Sequence, residues 1–304
     1  MEHAPLTPLS SAALLIGRDA LLAIWKARDP RMDPVDALIL ATVIQANVDG
    51  LTSSLSEQMI FGGLDQPPPG ALRRRVSINR VADSLNLRFE TVRRRIKRLE
   101  ALGLIETSRQ GAMAPERYFH TEANRQAVVE ADRMAADAYF RLDSLGFFEA
   151  HPLPPAIAAP ITHPYRAVAR LFMTYALRVG GEMRALVGDY PNLMLVLQLT
   201  QLNSRLGADV RPAASISALS RASRIPFETA RRRLSRLEQA GLCRMNEAGY
   251  VVPRRVAIAL AVQLAACNEM NLLRLYRACA QLGAVEGWRG GRTELESKDQ
   301  RLAS

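Results

Sequence analysis

SINRVADSLNLRFETVRRRIKRLEALGL, residues Ser77 to Leu104, returns 138 positions later as SISALSRASRIPFETARRRLSRLEQAGL, residues Ser215 to Leu242, with 13 identities over 28 gap-free positions. A match of that density marks an internal duplication, so the 304-residue chain is read as two related units. Most identities fall in the block FETxRRRxxRLExxGL, which begins at Phe89 and again at Phe227. In the first copy Ile78, Val81 and Leu85 fall at helical spacing, Asn86 tolerates a turn, and a second helix runs from near Arg88 to Gly103. Advancing about 100° per residue from Val92 puts Ile96 and Leu99 on one face and Glu90, Arg94 and Lys97 on the opposite one. The second copy repeats this with Ala230, Leu234 and Leu237 inward and Glu228 and Arg232 outward, and Ser235 replaces Lys97.

Beyond Gly103, the stretch Leu104 to Ser108, the turn Arg109-Gln110-Gly111 and the strand-like Arg117 to His120 predict a hairpin. Leu242 to Met245, the turn Asn246 to Gly249 and Tyr250 to Val252 predict a shorter one in the second copy. The expected fold is mainly α, with two repeated winged helix-turn-helix domains, flanking helices and small β-hairpin wings. Here the chain resembles bacterial winged-helix transcriptional regulators. ETVRRRIKRLEALGLI, Glu90 to Ile105, is similar to the recognition helix and first wing strand of the cyclic-AMP receptor and fumarate-nitrate regulator families, and TVRRxxxRLExxGLI to the GntR and Lrp families. The resemblance covers about a third of the chain.

Outside the block, Asp33-Pro34 and Asp189-Tyr190-Pro191 read as helix starts, each followed by an apolar helix ending near Asn47 or Asn203. Long helices are expected over Thr121 to Leu145 and Arg255 to Leu282. FFEAHPLPPAIAAPITHP, with five prolines, reads as a linker, and FGGLDQPPPG from Phe61 to Gly70 as a second break. The expected boundaries are residues 1–147 (core 76–120), a linker at 148–163, residues 164–284 (core 214–253) and a disordered tail at 285–304. Trp25 with Leu14, Leu15, Leu21, Leu22 and Ile24 reads as helix-packing core.

The charge is uneven. The whole chain carries +10, nearly all of the positive charge arginine, since the lysines are only Lys26, Lys97 and Lys298. Residues 72–100 hold ten basic against three acidic side chains and residues 211–238 seven against two, so these two stretches exceed the net charge of the whole. Such concentration favours a polyanionic partner over a uniformly basic membrane binder. A helix with this face suits the DNA major groove, where N-terminal side chains reach base edges while flanking arginines and the wing hold phosphates.

The resemblance to the cyclic-AMP receptor family implies base contacts from Glu90, Thr91 and Arg94 and from Glu228, Thr229 and Arg232. The candidates for phosphate contact are Arg73, Arg74, Arg75, Arg80, Arg88, Arg93, Lys97, Arg98, Arg109 and Arg117, then Arg221, Arg224, Arg231 and Arg236. Glu90 and Glu228 have a second reading, as first-turn acids that stabilise the helix dipole. Arg95 and Arg233 lie near the apolar face and are read as structural. Phe89 and Phe227, where these families often have arginine, either close the core or meet a thymine methyl.

Cys243, Cys267 and Cys279 form no C-x-x-C pair and the four histidines are scattered, so neither a disulfide framework nor a zinc site is expected. No P-loop, G-x-S-x-G, H-E-x-x-H or dinucleotide fingerprint is present, and no enzyme and no cofactor is expected. No secretory signal or membrane-spanning run is read, which fits a reducing cytoplasm. The expected partner is double-stranded DNA, with a homodimer possible and no effector indicated. The alternatives are a protein-binding chromosome scaffold and a plasmid-type replication initiator with paired winged helices.

Overall fold

The computed structural model describes residues 7–26, 29, 31–157, 162–204 and 213–291 and is mainly helical. In chain order its helices begin with α1 (Pro8–Trp25), α2 (Pro34–Asn47), α3 (Asp49–Thr52), α4 (Leu55–Ile60), α5 (Ile78–Leu85) and α6 (Phe89–Ala101). After the hairpin β1 (Glu106–Ser108) and β2 (Gly111–Met113) come α7 (Glu116–Phe119), α8 (Glu122–Asp143), α9 (Phe147–Ala150), α10 (Tyr165–Val187) and α11 (Tyr190–Ser204). The second copy supplies α12 (Ile216–Ser223), α13 (Phe227–Gln239), β3 (Arg244–Asn246), β4 (Gly249–Val251) and α14 (Arg254–Gln281).

The chain forms two compact units, neither of them continuous in sequence. One, holding the first copy, comprises Thr42–Tyr175 and Met270–Ser304; the other, holding the second copy, comprises Met1–Ala41 and Ala176–Glu269. The linear boundaries expected above therefore do not describe the compact units, because α2, α10 and α14 each contain a boundary.

The repeated block folds the same way twice. Ser77 and Ser215 cap α5 and α12, their hydroxyls accepting from Arg80 N at 3.2 Å and Ala218 N at 3.1 Å. Both helices stop on a left-handed residue, Asn86 at φ 49° and Arg224 at φ 52°, which redirects the chain into α6 and α13. Val92, Ile96 and Leu99 are buried on α6, and Ala230, Leu234 and Leu237 on α13, as the helical spacing predicts. Each buried Ile or Leu contributes about 1.5–3 kcal/mol. Both long helices end in a Schellman turn on glycine, with Leu104 N bonded to Leu99 O and Leu242 N to Leu237 O, and Gly103 and Gly241 at φ 73° and 72°.

Two short antiparallel sheets follow, with Thr107 opposite Ala112 and Met245 opposite Tyr250. Each gains a third chain that periodicity does not announce: Val76 bridges to Ala112 and Ala214 to Tyr250. That bridge fixes Gly111 and Gly249, since an added Cβ would come within 2.3 Å of Val76 O or 2.7 Å of Ala214 O. The leading helices lock onto the hairpins through their terminal asparagines. Asn47 Nδ2 donates to Arg74 O and Ala112 O while its Oδ1 accepts from Ala114 N; Asn203 Oδ1 accepts from Val252 N, the counterpart of Ala114.

Three expectations are corrected. The first hairpin returns through Gly111–Met113 and not through Arg117 to His120, because Pro115 ends the strand and caps the short helix α7. The Pro-rich linker is not a free tether where it is described: Phe147 and Phe148 are buried, Phe148 stacks on Tyr139 at 4.8 Å, and Ile157 N bonds to Gln281 O. The tail is ordered at its start, for residues 284–291 are helical, Trp288 is buried and its indole N–H donates to Asp132 at 3.2 Å. Residues 292–304 of the expected tail lie outside the described residues. By length and composition alone α1, with 18 residues and a mean hydropathy of 1.3, could cross a membrane, and half of it is buried in the fold.

Candidate nucleic-acid interface

The outward faces of α6 and α13 carry matching side chains in matching environments. Glu90, Arg94, Lys97 and Arg98 are exposed on α6; Glu228, Arg231, Arg232 and Arg236 are exposed on α13. Thr91 and Thr229 are half-buried at the same step of the first turn. Arg93 reaches back three residues to Glu90 at 2.9 Å, and Arg231 does the same to Glu228 at 2.7 Å. Arg232 adds a longer approach to Glu228 at 3.9 Å. These pairs are solvent-exposed and add little stability, but they place each first-turn carboxylate beside a helix N-terminus. The Arg231 hydrogen bond holds the Glu228 carboxyl below the usual range, so its contribution is present above ordinary glutamate pH and fades as pH falls.

Phe89 and Phe227, the first residues of the two helices, are 43% and 49% exposed. That excludes the core-closing reading and leaves an aromatic edge beside each carboxylate. The surrounding basic groups Arg74, Arg80, Arg88 and Arg109 are exposed in the first copy, and Arg221 and Arg224 in the second. Arg88 precedes α6 as its cap residue, while Arg224 sits in the tight turn itself.

Two of the expected phosphate contacts are corrected by burial. Arg73 has a side chain only 1% exposed; it donates to Ala114 O at 2.9 Å, approaches Glu116 at 3.4 Å and lies over the Phe119 ring at 4.6 Å. Desolvation lowers its pKa, the reverse of what a phosphate contact does. Arg75 is half-buried and ties the two hairpin strands, donating to Glu106 O at 3.2 Å and Gly111 O at 3.3 Å. Arg117 is exposed but engaged with Glu106 at 3.2 Å and Gly103 O at 3.3 Å, bracing the hairpin against the end of α6. Arg233 is structural as expected: it is held by Asp189 at 2.8 Å and Asn192 at 2.8 Å, clamping α13 to the start of α11.

Charge-run reading misses another pair of structural acids. Glu100 accepts from Thr107 N at 3.0 Å and Glu238 from Met245 N at 2.7 Å, fixing the angle between each basic helix and its hairpin. Their repetition in LExxGL was the available signal.

Burial pushes the Cys243 thiol up to about 12 and raises that of Cys279 as well, so both remain thiols near neutral pH. Among the described residues no group of three or more His, Cys, Asp or Glu side chains could hold a metal ion.

No protein-family model, curated protein or solved structure matches the chain. The functional reading therefore stands on the two repeated surfaces.

Proposed function

We propose that this chain is a sequence-specific double-stranded DNA-binding transcriptional regulator that uses two winged helix-turn-helix elements in one polypeptide. The observation that carries the reading is the pairing of a repeated apolar buried stripe with an exposed one whose residues are the same in both copies. Both α6 and α13 bury three apolar side chains and present Phe, Glu and two arginines outward at the same steps of the helix. Core packing explains the first set and has no use for the second.

In the major groove, a first-turn carboxylate accepts from a cytosine amino group and an arginine one turn later donates to guanine O6 and N7. Glu90 with Arg94 and Glu228 with Arg232 have the spacing for that pair of contacts. The exposed rings of Phe89 and Phe227 suit contact with a thymine methyl. Arg80, Arg88, Lys97, Arg98 and Arg109 surround the first helix as phosphate ligands, and Arg221, Arg224 and Arg236 surround the second. Arg73 and Arg75 belong to the scaffold of the element.

Selection of bound duplexes from a random-sequence library tests the proposal. It predicts two related half-sites enriched at a preferred spacing, because two similar recognition helices act from one chain. Retention of DNA with no enriched sequence would leave only a non-specific binder, and no retention at all would favour the protein-scaffold alternative.

A further inference from the structure

The unit holding the second copy contains a half-open cavity of about 260 Å³ between α1, the end of α10, α11 and the start of α14. The buried side chains of Met183, Val196 and Leu197 line its inner side. Leu14, Leu186 and Leu260, contributed by three different helices, line it nearer the solvent and are only half-buried. Leu14, read from sequence as packing core, therefore faces a space. Single exposed leucines are ordinary on a protein surface, but several that converge on one concave space mark a place where something apolar is taken up.

The polar side chains of the wall are already engaged. Arg18 Nε donates to Asp19 at 2.8 Å, Thr200 Oγ1 donates to Leu197 O at 2.8 Å, and Asn203 Oδ1 accepts from Val252 N at 3.2 Å. A well-held internal water needs about two to four polar partners, which this wall does not offer, so hydrocarbon that displaces loosely held water gains free energy. A charged head would lose its hydration there with nothing to replace it. Size restricts the occupant further: a cavity of about 150 Å³ admits benzene, so this one takes roughly ten heavy atoms.

We infer that this cavity binds one small, uncharged and largely hydrocarbon molecule, of the size of an alkylbenzene. The wall selects by excluding charge and by limiting length, and it supplies no polar group to orient a head. The site stands apart from the DNA-binding proposal, since a chain without DNA affinity would still take up such a molecule.

Calorimetric titration of the full chain with butylbenzene, phenylbutyrate, phenylbutylamine and triisopropylbenzene tests the site. Butylbenzene should bind one to one, its acid and amine counterparts at least tenfold more weakly, and the bulkier triisopropylbenzene not measurably. Leu14→Trp and Leu260→Trp, at half-buried wall positions, should each fill the space and weaken butylbenzene binding at least tenfold with an unchanged circular dichroism spectrum. If either substitution disturbs the fold, the charge and size series still decides the matter. Absence of saturable butylbenzene binding, equal affinity for the charged analogues, or binding that survives both substitutions would overturn the site. A chain that sediments as a dimer and takes up no butylbenzene would give the apolar mouth to a second copy and overturn it as well.

Discussion

The two copies agree at most positions where the fold needs a particular atom and differ at several of the charges that face solvent. Ser77 and Ser215 cap the same helix, Gly111 and Gly249 let the same bridging chain pass, and Glu100 and Glu238 hold the same hairpin. Around that shared frame, the first copy has Arg88, Lys97 and Arg109 where the second has Pro226, Ser235 and Glu247. The change from Arg109 to Glu247 puts an acid in the turn of the second hairpin, where it would repel the phosphates of the proposed DNA partner. Under the DNA proposal the first copy is therefore the main electrostatic anchor, and the second depends more on base contacts. Under the same proposal, the repetition of Glu, Thr and Arg on both helices, despite drift in the charges around them, separates base-reading positions from those that only attract.

The largest expected effect concerns the asparagine clasps. Asn47→Ala removes three hydrogen bonds to backbone groups around the first hairpin and should destabilise its unit by about 3 kcal/mol in denaturant unfolding. Asn203→Ala, which removes the bond to Val252 N, should likewise destabilise its own unit, by at least about 1 kcal/mol. A substitution without effect in either unit would break the comparison at the level of the fold.

Next come Arg94 and Arg232, the arginines proposed to read bases. Arg94→Ala and Arg232→Ala should each lower discrimination against a mismatched half-site by about 1–3 kcal/mol, measured by competition binding. Arg73→Ala should instead reduce stability, because its guanidinium is buried against Ala114 O and the Phe119 ring. Glu247→Arg should make the turn of the second hairpin resemble that of the first. It should raise affinity a few-fold and steepen the salt dependence by about 0.9 for each phosphate gained. The smallest effect is conformational: Arg224→Asn gives the second turn the residue that the first already has, and should raise stability by about 0.5–1 kcal/mol by relieving a left-handed backbone.

Much of this architecture was readable from residue order. Helical spacing placed Val92, Ile96 and Leu99 inward, Asp33 and Asp189 announced the leading helices, and Arg233 stood too near the apolar face to be a surface group. The errors share a cause. Arg73 and Arg75 find their partners more than thirty residues further along, at Ala114, Glu116, Glu106 and Gly111, and a run of like charges carries no sign of such contacts. The bridges at Val76 and Ala214 are single residues, too short to show alternation. Trp288 lies in a stretch of two helical turns, where an apolar period has no room to repeat. Pro115, by contrast, is a legible stop signal: a residue without a backbone N–H places the return strand before it, at Gly111–Met113, and not at Arg117 to His120. The cavity beside Asn203 had no signature in sequence, because its lining comes from four helices distributed along the chain.

The dependence of DNA affinity on salt is the most direct test of the central claim. Binding to random duplex DNA, measured at several salt concentrations, should fall on a straight log–log line with a slope of about −0.9 for each phosphate contacted. A line corresponding to several phosphates, made shallower by Arg88→Ala with Lys97→Ala, is the predicted result. An affinity indifferent to salt, or a steep slope that those two substitutions leave untouched, would contradict it.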